Sequence, residues 1–353
     1  MIYLVCQDWL NTSGNHAGMS YLCAQLVSMH PESYKSYQLP SFLPPLSKRK
    51  KNKILKKIQM FHAKLKHWLF LRKIFGDMRL QVKKGDSVFL LEYMEVMYPM
   101  KSFAKKVKKK LGGTQVLAMI HLVPSKLDVM FPKQQVFDSW IDYTDNIITL
   151  GSSLTNYLCS RGVASQKVLT SFHYVDDFYF QPIEEHRYDR LRVIAMGSQM
   201  RNVSLLSRIC RENPMVDFVI CQGLSDMSSY FCGCKNVRLI PFVSEIELRQ
   251  LMMESDVSLN VMEDTVGSNV VVTSLAMGLA MICSDVGSIR DYCTEENSVF
   301  CDNADPDSFS RAVQKLSLNR DVLNKMRQSS QNMARKFSIA NFHCNLQDFL
   351  QTR

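Results

Sequence analysis

The sequence predicts an α/β protein with two domains, each built on a doubly wound parallel sheet. Short apolar runs of strand length alternate with helix-length segments along the chain, and this alternation lapses once, around Tyr179–Asp189. Strands separated by helices form parallel β-α-β units. A chain of 353 residues with 46% apolar residues is also long enough for two cores. We therefore expect domains at 1–184 and 185–336, followed by a closing segment at 337–353.

The first half supplies five predicted strands and two predicted helices. Prolines 40, 44 and 45 interrupt regular structure after the second strand. In chain order the elements are strand Ile2–Cys6, helix His16–Met29, strand Tyr34–Leu39, helix Lys53–Ile74, and strands Ser87–Leu91, Gln115–Leu122 and Asn146–Leu150.

The second half repeats the pattern with six predicted strands and three predicted helices. The strands are Leu191–Met196, Phe218–Cys221, Val237–Ile240, Val257–Val261, Met281–Ser284 and Ser298–Phe300. The helices are Glu245–Glu254, Val270–Met277 and Asp305–Leu316.

Composition excludes several classes of protein. No apolar run is long enough to span a bilayer, and the opening MIYLVC is too short for the apolar region of a signal peptide, so it predicts a buried strand. The 11 cysteines occur without the paired spacing of a zinc site. We expect reduced thiols, no bound metal and a cytoplasmic location.

Charge is concentrated in one region. Residues 47–110 contain 20 lysines and arginines against four carboxylates, a balance of +16, whereas the whole chain carries +10 and the remainder therefore −6. Such a basic region favours an anionic partner. Apolar residues at spacings of three and four within Lys53–Ile74 favour an anionic membrane surface for residues 48–110; packing of the same stripe on the first domain is the alternative.

Two glycine-containing loops follow predicted strands, where open parallel sheets bind ligands. The first holds Gly14, Asn15, His16 and Gly18 before a helix, and fits either an acceptor-side loop or a plain turn with a helix cap. The second, Glu263–Asn269, places Gly267, Ser268 and Asn269 where a helix begins. Backbone N–H groups at a helix start suit a diphosphate.

Three segments contain recognisable motifs. Asp256–Asp291 includes Ala276-Met-Gly278 and Ser284-Asp-Val-Gly-Ser288, and the first half contains His173–Asp177 and Asp145–Ser152. The first segment resembles the donor-site region of family 4 glycosyltransferases of the GT-B fold, a family that includes bacterial surface-polysaccharide enzymes, and the other two are similar to motifs of that family's N-terminal half. The resemblance implies two Rossmann-like domains facing each other across a cleft, with 337–353 returning to the first domain.

The resemblance also implies roles for particular residues. Donor binding falls to Gly197, Arg201, Gly267, Ser268, Asn269 and Thr273, and catalysis to His121, Arg201 and Glu263. His121 follows a strand, where an interior, structural histidine is the alternative. Arg201 is the only cation in its loop and suits a phosphate because its guanidinium donates in a planar fork.

The chain departs from the family at two positions. Thr265 and Thr273 stand where the family has glutamates that contact the sugar and the nucleotide ribose. Glu263 or Asp264 replaces the missing carboxylate if the loop is shifted. Glu92 and Glu95 follow a strand too, and we interpret them as solvated surface carboxylates.

The resemblance implies a retaining hexosyltransferase that uses a nucleoside-diphosphate sugar without a metal or other cofactor. The expected acceptor is a glycan or a lipid-linked glycan, at the inner face of the membrane in surface-polysaccharide synthesis. The alternatives are a non-catalytic GT-B homologue and a basic nucleic-acid-binding protein. No RNA- or DNA-binding module is recognisable, so we expect no nucleic-acid partner.

Overall fold

The computed structural model describes residues 1–9, 14–42, 52–95, 99–182 and 189–352. The chain divides into two compact units, one formed by Met1–Phe172 with His343–Arg353 and the other by His173–Phe342. The predicted domain boundary at 184/185 lies outside the described residues. No helix within the described ranges is long and apolar enough to cross a membrane.

The first unit contains a six-stranded sheet in the order β2-β1-β3-β4-β5-β6, with every neighbouring pair parallel. Its strands are β1 (Ile2–Gln7), β2 (Tyr34–Leu39), β3 (Ser87–Leu90), β4 (Gln115–Ile120), β5 (Asn146–Thr149) and β6 (Val168–Thr170). Its helices are α1 (Met19–Met29), α2 (Lys53–Gln81), α3 (Met100–Lys110), α4 (Pro124–Met130), α5 (Gln134–Ile141) and α6 (Ser152–Ser160).

The second unit contains another parallel six-stranded sheet, in the order β12-β11-β10-β7-β8-β9. Its strands are β7 (Arg192–Ala195), β8 (Asp217–Gly223), β9 (Val237–Pro241), β10 (Val257–Asn260), β11 (Ala280–Ser284) and β12 (Ser298–Cys301). Its helices are α7 (Val203–Glu212), α8 (Glu245–Met253), α9 (Asn269–Ala276), α10 (Ile289–Tyr292), α11 (Pro306–Leu318) and α12 (Arg320–Ala334), and α13 (Ile339–Gln351) continues into the first unit.

The two doubly wound sheets of the prediction are confirmed, and their strand order shows where ligands should bind. In the first sheet the order reverses between β1 and β3, and in the second between β7 and β10. Open α/β sheets bind ligands beyond the carboxyl ends of the strands at such a reversal. The loops after β7 and β10 are the ones predicted to bind the donor.

Three of the differences from the prediction have a clear physical reason. Helix α2 ends at Gln81, seven residues beyond the predicted Ile74, because the buried face continues through Phe75 and Met78. Strand β6 has only three residues, too few for a periodic signal. Helix α1 begins at Met19 rather than His16, since Gly18 takes the extended conformation of the N-cap.

The segment His173–Asp177, which resembles the end of the family's first domain, is assigned to the second unit. The His173 N–H donates to the Tyr292 hydroxyl over 2.9 Å, and the Val175 N–H donates to the Phe337 carbonyl over 2.8 Å. These main-chain bonds tie the segment to the second unit.

Candidate functional site

The turn after β11 supports the loop after β10 through a glycine. Gly287 has a φ of +54°, and a Cβ there would lie 2.1 Å from the Thr265 oxygen and 2.6 Å from Asp264 Oδ1. The Ser288 N–H also donates to the Thr265 carbonyl over 2.8 Å. Only glycine combines this backbone conformation with so close an approach. The Ser284–Ser288 motif therefore shapes the loop between β10 and α9.

Two polar side chains fix the start of the same loop. The Met262 N–H donates to Ser284 Oγ over 2.9 Å, and that hydroxyl donates to Asn303 Oδ1 over 2.7 Å. Asn303 Nδ2 in turn donates to the Met262 carbonyl over 2.8 Å. Sequence reasoning missed Asn303, although a polar residue shortly after a buried strand is the signal that could have identified it.

Thr265 and Thr273, which stand where the resembled family has glutamates, are buried. The Thr265 hydroxyl accepts the Gly267 N–H over 3.2 Å, in a loop where Gly267 has a φ of +103°. Thr273 is 7% exposed, and its hydroxyl donates to the Asn269 carbonyl over 2.7 Å. Both threonines therefore already use their hydroxyls to shape the loop and the first turn of α9.

Helix α9 begins where the sequence predicted a diphosphate site. Ser268 is its N-cap and accepts the Val270 N–H through Oγ over 3.1 Å, while the Ser268 carbonyl accepts the Val271 N–H over 3.0 Å. Gly267, Ser268 and Asn269 lie at this helix start, as predicted. The positive end of the helix dipole and its first-turn amides favour an anion at this position.

The loop after β7 lies against the start of α9. Gly197 has a φ of +76°, and a Cβ there would lie 3.1 Å from Val270 Cγ2. The Glu263 N–H donates to the Met200 carbonyl over 2.8 Å, and the Asn202 N–H donates to the Val261 carbonyl over 3.0 Å. The structure thus brings Gly197, Glu263 and the start of α9 together at the strand-order reversal.

Arg201 is in this loop, with a guanidinium that is half-buried. Its Nη1 donates to the Cys221 carbonyl over 3.0 Å, and burial lowers its pKa to about 10. Its Nη2 atom is buried and makes no hydrogen bond to the described part of the protein. A buried guanidinium donor without an acceptor is costly, so an anionic ligand at this atom would be stabilising.

Glu263 is exposed, and its Oε1 accepts from Asn202 Nδ2 over 2.6 Å. Asn202 also caps α7 by accepting the Leu205 N–H through Oδ1 over 2.9 Å. The carboxylate is thus held near the start of α7, at the loop that contains Arg201.

At the reversal of the first sheet, the structure corrects the interpretation of Glu92. This side chain is 3% exposed rather than solvated, and its Oε2 accepts the Gln7 N–H over 2.9 Å. Burial raises the pKa of Glu92 to about 8, although the bond from Gln7 acts in the opposite direction. The adjacent Glu95 also has a pKa raised by burial, with Lys126 opposing the shift. Met94, between them, is buried with a φ of +66°.

His121 directly follows β4, at the carboxyl ends of the strands of the first sheet. Its Nε2 donates to the Leu91 carbonyl over 2.7 Å, and burial lowers its pKa, which favours the neutral imidazole. Leu91 directly precedes Glu92, so the predicted catalytic histidine and the buried carboxyl follow neighbouring strands. A polar residue directly after strand β3 was the only sequence signal for Glu92.

In the acceptor-side loop the structure describes Gly14 onward. Gly14 has a φ of +78° with open space around its Cβ position, and the Gly18 N–H donates to the Asn15 carbonyl over 3.2 Å. The His16 ring lies 4.7 Å from the Tyr21 ring, centroid to centroid. Within the described ranges, no three His, Cys, Asp or Glu side chains are grouped as metal ligands.

Comparison with known proteins identifies the fold. The chain superposes on sucrose-phosphate synthase from Thermosynechococcus elongatus with a TM-score of 0.76 at 12% identity, over 100% of both chains. It superposes on HepE of Anabaena, in complex with UDP-glucose, with a TM-score of 0.70 at 10% identity, over 99% of this chain and 100% of HepE. The fold is GT-B.

A third GT-B structure is the lipopolysaccharide outer core galactosyltransferase WaaB, with a TM-score of 0.67 at 12% identity over 100% of this chain and 99% of WaaB. Residues 200–319 match the family model described as glycosyl transferases group 1. A search of curated protein sequences returns no match. The matched residues contain Arg201, Glu263 and the whole loop that leads into α9, so match and fold together support a group 1 glycosyltransferase.

Proposed function

We propose that the protein transfers a hexosyl group from a nucleoside-diphosphate sugar to a glycan or lipid-linked acceptor, as a family 4 enzyme of bacterial surface-polysaccharide synthesis. The observation that carries the proposal is the convergence of the loops after β7 and β10 on the start of α9, within the residues that match group 1 glycosyl transferases. Similarly folded HepE and TarM have been crystallised with UDP, so UDP is the first nucleotide to test.

The donor diphosphate is proposed to bind at the start of α9 and at Arg201. The buried Nη2 atom of Arg201 lacks an acceptor in the described structure, and a phosphate oxygen would supply one. Gly197 and Gly267 allow the main chain to approach the phosphates. Two fixed sources of positive potential can offset the diphosphate charge, so we propose that transfer needs no metal.

Transfer is proposed to retain the configuration at the anomeric carbon. The bond from that carbon to the diphosphate oxygen breaks as the acceptor hydroxyl bonds on the same face, and the hydroxyl proton passes to the departing phosphate. Arg201 and the amides near Ser268 stabilise the negative charge that develops on the leaving group. Glu263 and His121 remain the proposed catalytic partners, with Thr273 at the nucleotide ribose.

The acceptor is proposed to bind in the first unit, at the carboxyl edge of its sheet. His121 and the buried Glu92 lie at or next to the strand-order reversal there. Gly14, Asn15, His16 and Gly18 follow β1 at the same edge. A neutral carboxyl and a neutral imidazole both hydrogen-bond to sugar hydroxyls without attracting solvent ions.

A non-catalytic homologue is the second candidate, because Thr265 and Thr273 replace family glutamates and both use their hydroxyls inside the scaffold. Such a protein would bind a nucleotide sugar without transferring or hydrolysing the sugar. The proposed location of the enzyme is the cytoplasm, at the inner face of the membrane.

Calorimetry with UDP and with GDP, in the presence and absence of EDTA, tests donor binding. We expect one nucleotide to bind with or without the chelator, and the Arg201→Ala variant to bind it more than about tenfold more weakly, since a charged hydrogen bond contributes about 1.5–3 kcal/mol. Arg238→Ala is the matched control because it removes an exposed cation in the same unit.

Unchanged affinity in Arg201→Ala would remove this residue from the donor site. If neither nucleotide binds, the proposal fails. Binding without release of labelled sugar to water or to any glycan acceptor would favour the non-catalytic homologue.

A further inference from the structure

Helix α2 has one apolar face packed on the first unit. Its buried residues recur every three or four positions, so they share one side of the helix. They are Ala63, His67, Leu71, Ile74, Phe75 and Met78. This face accounts for the stability of α2 on its unit.

A second apolar face of α2 is exposed. Six residues, which we call the outer stripe, occupy an arc of roughly 100° on the side away from the buried face, at the helical repeat of 3.6 residues. They are Ile54, Ile58, Phe61, Leu65, Trp68 and Leu69. Ile54 is 68% exposed and Phe61 is 66% exposed, so this part of the predicted apolar stripe does not pack on the first domain, whereas Leu71 of the same prediction is buried. A contiguous exposed row of large apolar residues indicates a surface with a partner.

Cations flank the outer stripe on both sides. Lys57 and Lys64 lie along one flank and Lys66 and Lys73 along the other, and all four are exposed. No aspartate or glutamate occurs between residues 52 and 76. The described structure contains no ion pair for any lysine of α2, so nothing in it neutralises this charge.

The neighbouring helix α3 adds to the same positive surface. The pKa of Lys106 is lowered by burial and by the nearby charges of Arg72 and Arg79. The Lys106 ammonium also lies 4.0 Å from the centre of the Phe75 ring, and the Arg72 guanidinium lies 5.4 Å from the centre of the Trp68 ring. A surface on which several cations lie close together favours an anionic partner.

We propose that α2 docks the protein on an anionic membrane surface, with the outer stripe in the interface between headgroups and acyl chains and the flanking lysines on lipid phosphates. Apolar burial and charge neutralisation act together on such a helix. Docking does not depend on sugar transfer, so it can fail or succeed independently of the proposed enzymatic function.

Charge and chemistry favour a membrane over two other occupants. The outer stripe has the 4-3-4-3 spacing of a helix pair, but a second copy of α2 would bring lysines against lysines with no carboxylate to neutralise them. A nucleic acid would satisfy the lysines and leave isoleucine, leucine and phenylalanine side chains in water. An anionic lipid surface pairs the lysines with phosphates and also removes the apolar side chains from water.

Vesicle flotation of the full chain tests the proposal. We expect recovery with vesicles containing about 30% anionic lipid at about 50 mM salt, little recovery with neutral vesicles, and loss at about 500 mM salt. Trp68 emission should shift to the blue only with anionic vesicles, and the Trp68→Phe variant should lose most of that shift. Equal recovery with neutral and anionic vesicles, or no binding at low salt, would overturn the proposal.

Two pairs of matched variants separate charge from apolar contact. Lys57→Glu/Lys64→Glu should reduce recovery at least about tenfold, since each lysine near an anionic leaflet contributes measurably to binding. Lys315→Glu/Lys325→Glu makes the same charge change on exposed residues of the second unit and should leave recovery nearly unchanged.

Phe61→Ser/Trp68→Ser should also reduce recovery about tenfold, whereas Leu80→Ser/Val129→Ser, which alters even more exposed apolar residues outside the stripe, should not. Unchanged recovery in the stripe variant would show a general polyanion surface and contradict the insertion of α2. A dimer in light scattering that the stripe variant converts to monomer would make the stripe a self-association surface and overturn the proposal as well.

Discussion

At the scale of single residues, the shape of the loops proposed to bind the donor depends on two glycines whose missing side chains allow close contacts. Gly287 and Gly197 allow two loops to touch the segments beside them at distances that a side chain would prevent. Thr265 and Thr273 are buried and bonded within the scaffold. The local chemistry of the site therefore rests on shape first and on Arg201, Glu263 and the start of α9 second.

Gly287→Ala should destroy this shape. Its Cβ would lie 2.1 Å from the Thr265 oxygen at a φ of +54°, so the loop before α9 must move. We expect UDP affinity in calorimetry to fall more than about tenfold, with a loss of stability of about 2–4 kcal/mol. Gly233→Ala is the control for backbone strain alone, because Gly233 has a φ of +81° and an added Cβ would meet no atom within 4 Å. Equal losses in the two variants would contradict the role of the contact.

Glu92 should make the stability of the protein depend on pH. Its pKa is raised from 4.5 to about 8 in the folded chain, mainly by burial, so the native state binds more protons than the unfolded state between these values. Stability therefore falls as pH rises through this window. Glu92→Gln should remove this loss, a difference on the order of 3 kcal/mol between about pH 5 and about pH 9.

Denaturant unfolding of wild type and Glu92→Gln across this pH range measures the difference. Glu296→Gln, which alters an exposed carboxyl, is the control and should keep the wild-type profile. Parallel profiles for wild type and Glu92→Gln would show that this carboxyl is ionised in the folded protein.

At the scale of elements, α13 shows how a C-terminal helix is held by polar contacts. His343 Nδ1 lies 2.8 Å from the Tyr34 hydroxyl of β2, and Gln347 Nε2 donates to the same hydroxyl over 3.0 Å. The His30 and His343 rings are stacked with their centres 3.7 Å apart. Two stacked imidazoles are stable as neighbours only while at most one is charged.

Acid should loosen α13. Burial lowers the pKa of His343, and the charge of His30 lowers it further while Glu32 opposes the shift. The unfolded state therefore binds more protons than the folded state, and the contribution to stability is lost as pH falls below the ordinary histidine value. We expect the protection of α13 amides against hydrogen exchange, corrected for the intrinsic exchange rate, to fall as pH is lowered through the ordinary histidine value.

His343→Phe keeps an aromatic ring on His30 and should remove this loss of protection at low pH. The exposed His62 serves as the control, because His62→Gln should retain it. An unchanged pH profile in His343→Phe would place the titrating group elsewhere.

At the scale of the whole molecule, the two units differ in how the chain builds them. The second unit is one continuous segment, His173–Phe342, whereas the first is completed by His343–Arg353. Positive charge is concentrated at 47–110, all of it in the first unit. The donor loops and the cationic helices therefore belong to different units.

Deleting residues 343–353 should damage the first unit selectively. Leu346 is buried, and the Tyr34 hydroxyl would lose its hydrogen bonds to His343 and Gln347, so we expect a loss of about 2–5 kcal/mol from that unit. UDP affinity should stay within about twofold, because the proposed donor loops lie in the other unit.

Calorimetric unfolding together with UDP titration checks this result, with deletion of 352–353 as the control. Loss of UDP binding in the longer deletion, with the second unit still folded, would contradict the assignment of donor binding to the second unit alone.

The sequence by itself determined the two doubly wound sheets and the positions of the loops that we propose to bind the donor. Buried strands such as Ile2–Gln7 and Ala280–Ser284 are apolar up to their last residue, and glycines at 267 and 287 mark turns, so both signals come from residues close together in the chain. Strand β6 was not predicted because three residues are too few to show an alternating pattern.

Only the tertiary structure decided which polar and apolar side chains are buried. Glu92 is interior because β1 and β3 are neighbours, which places the Gln7 N–H against its carboxylate. The outer stripe of α2 is exposed because the first unit covers the other face of that helix. Thr265 and Gly287 meet across twenty-two residues of chain. Burial of this kind depends on partners distant in sequence, and a periodic pattern shows that a face is apolar without showing what covers it.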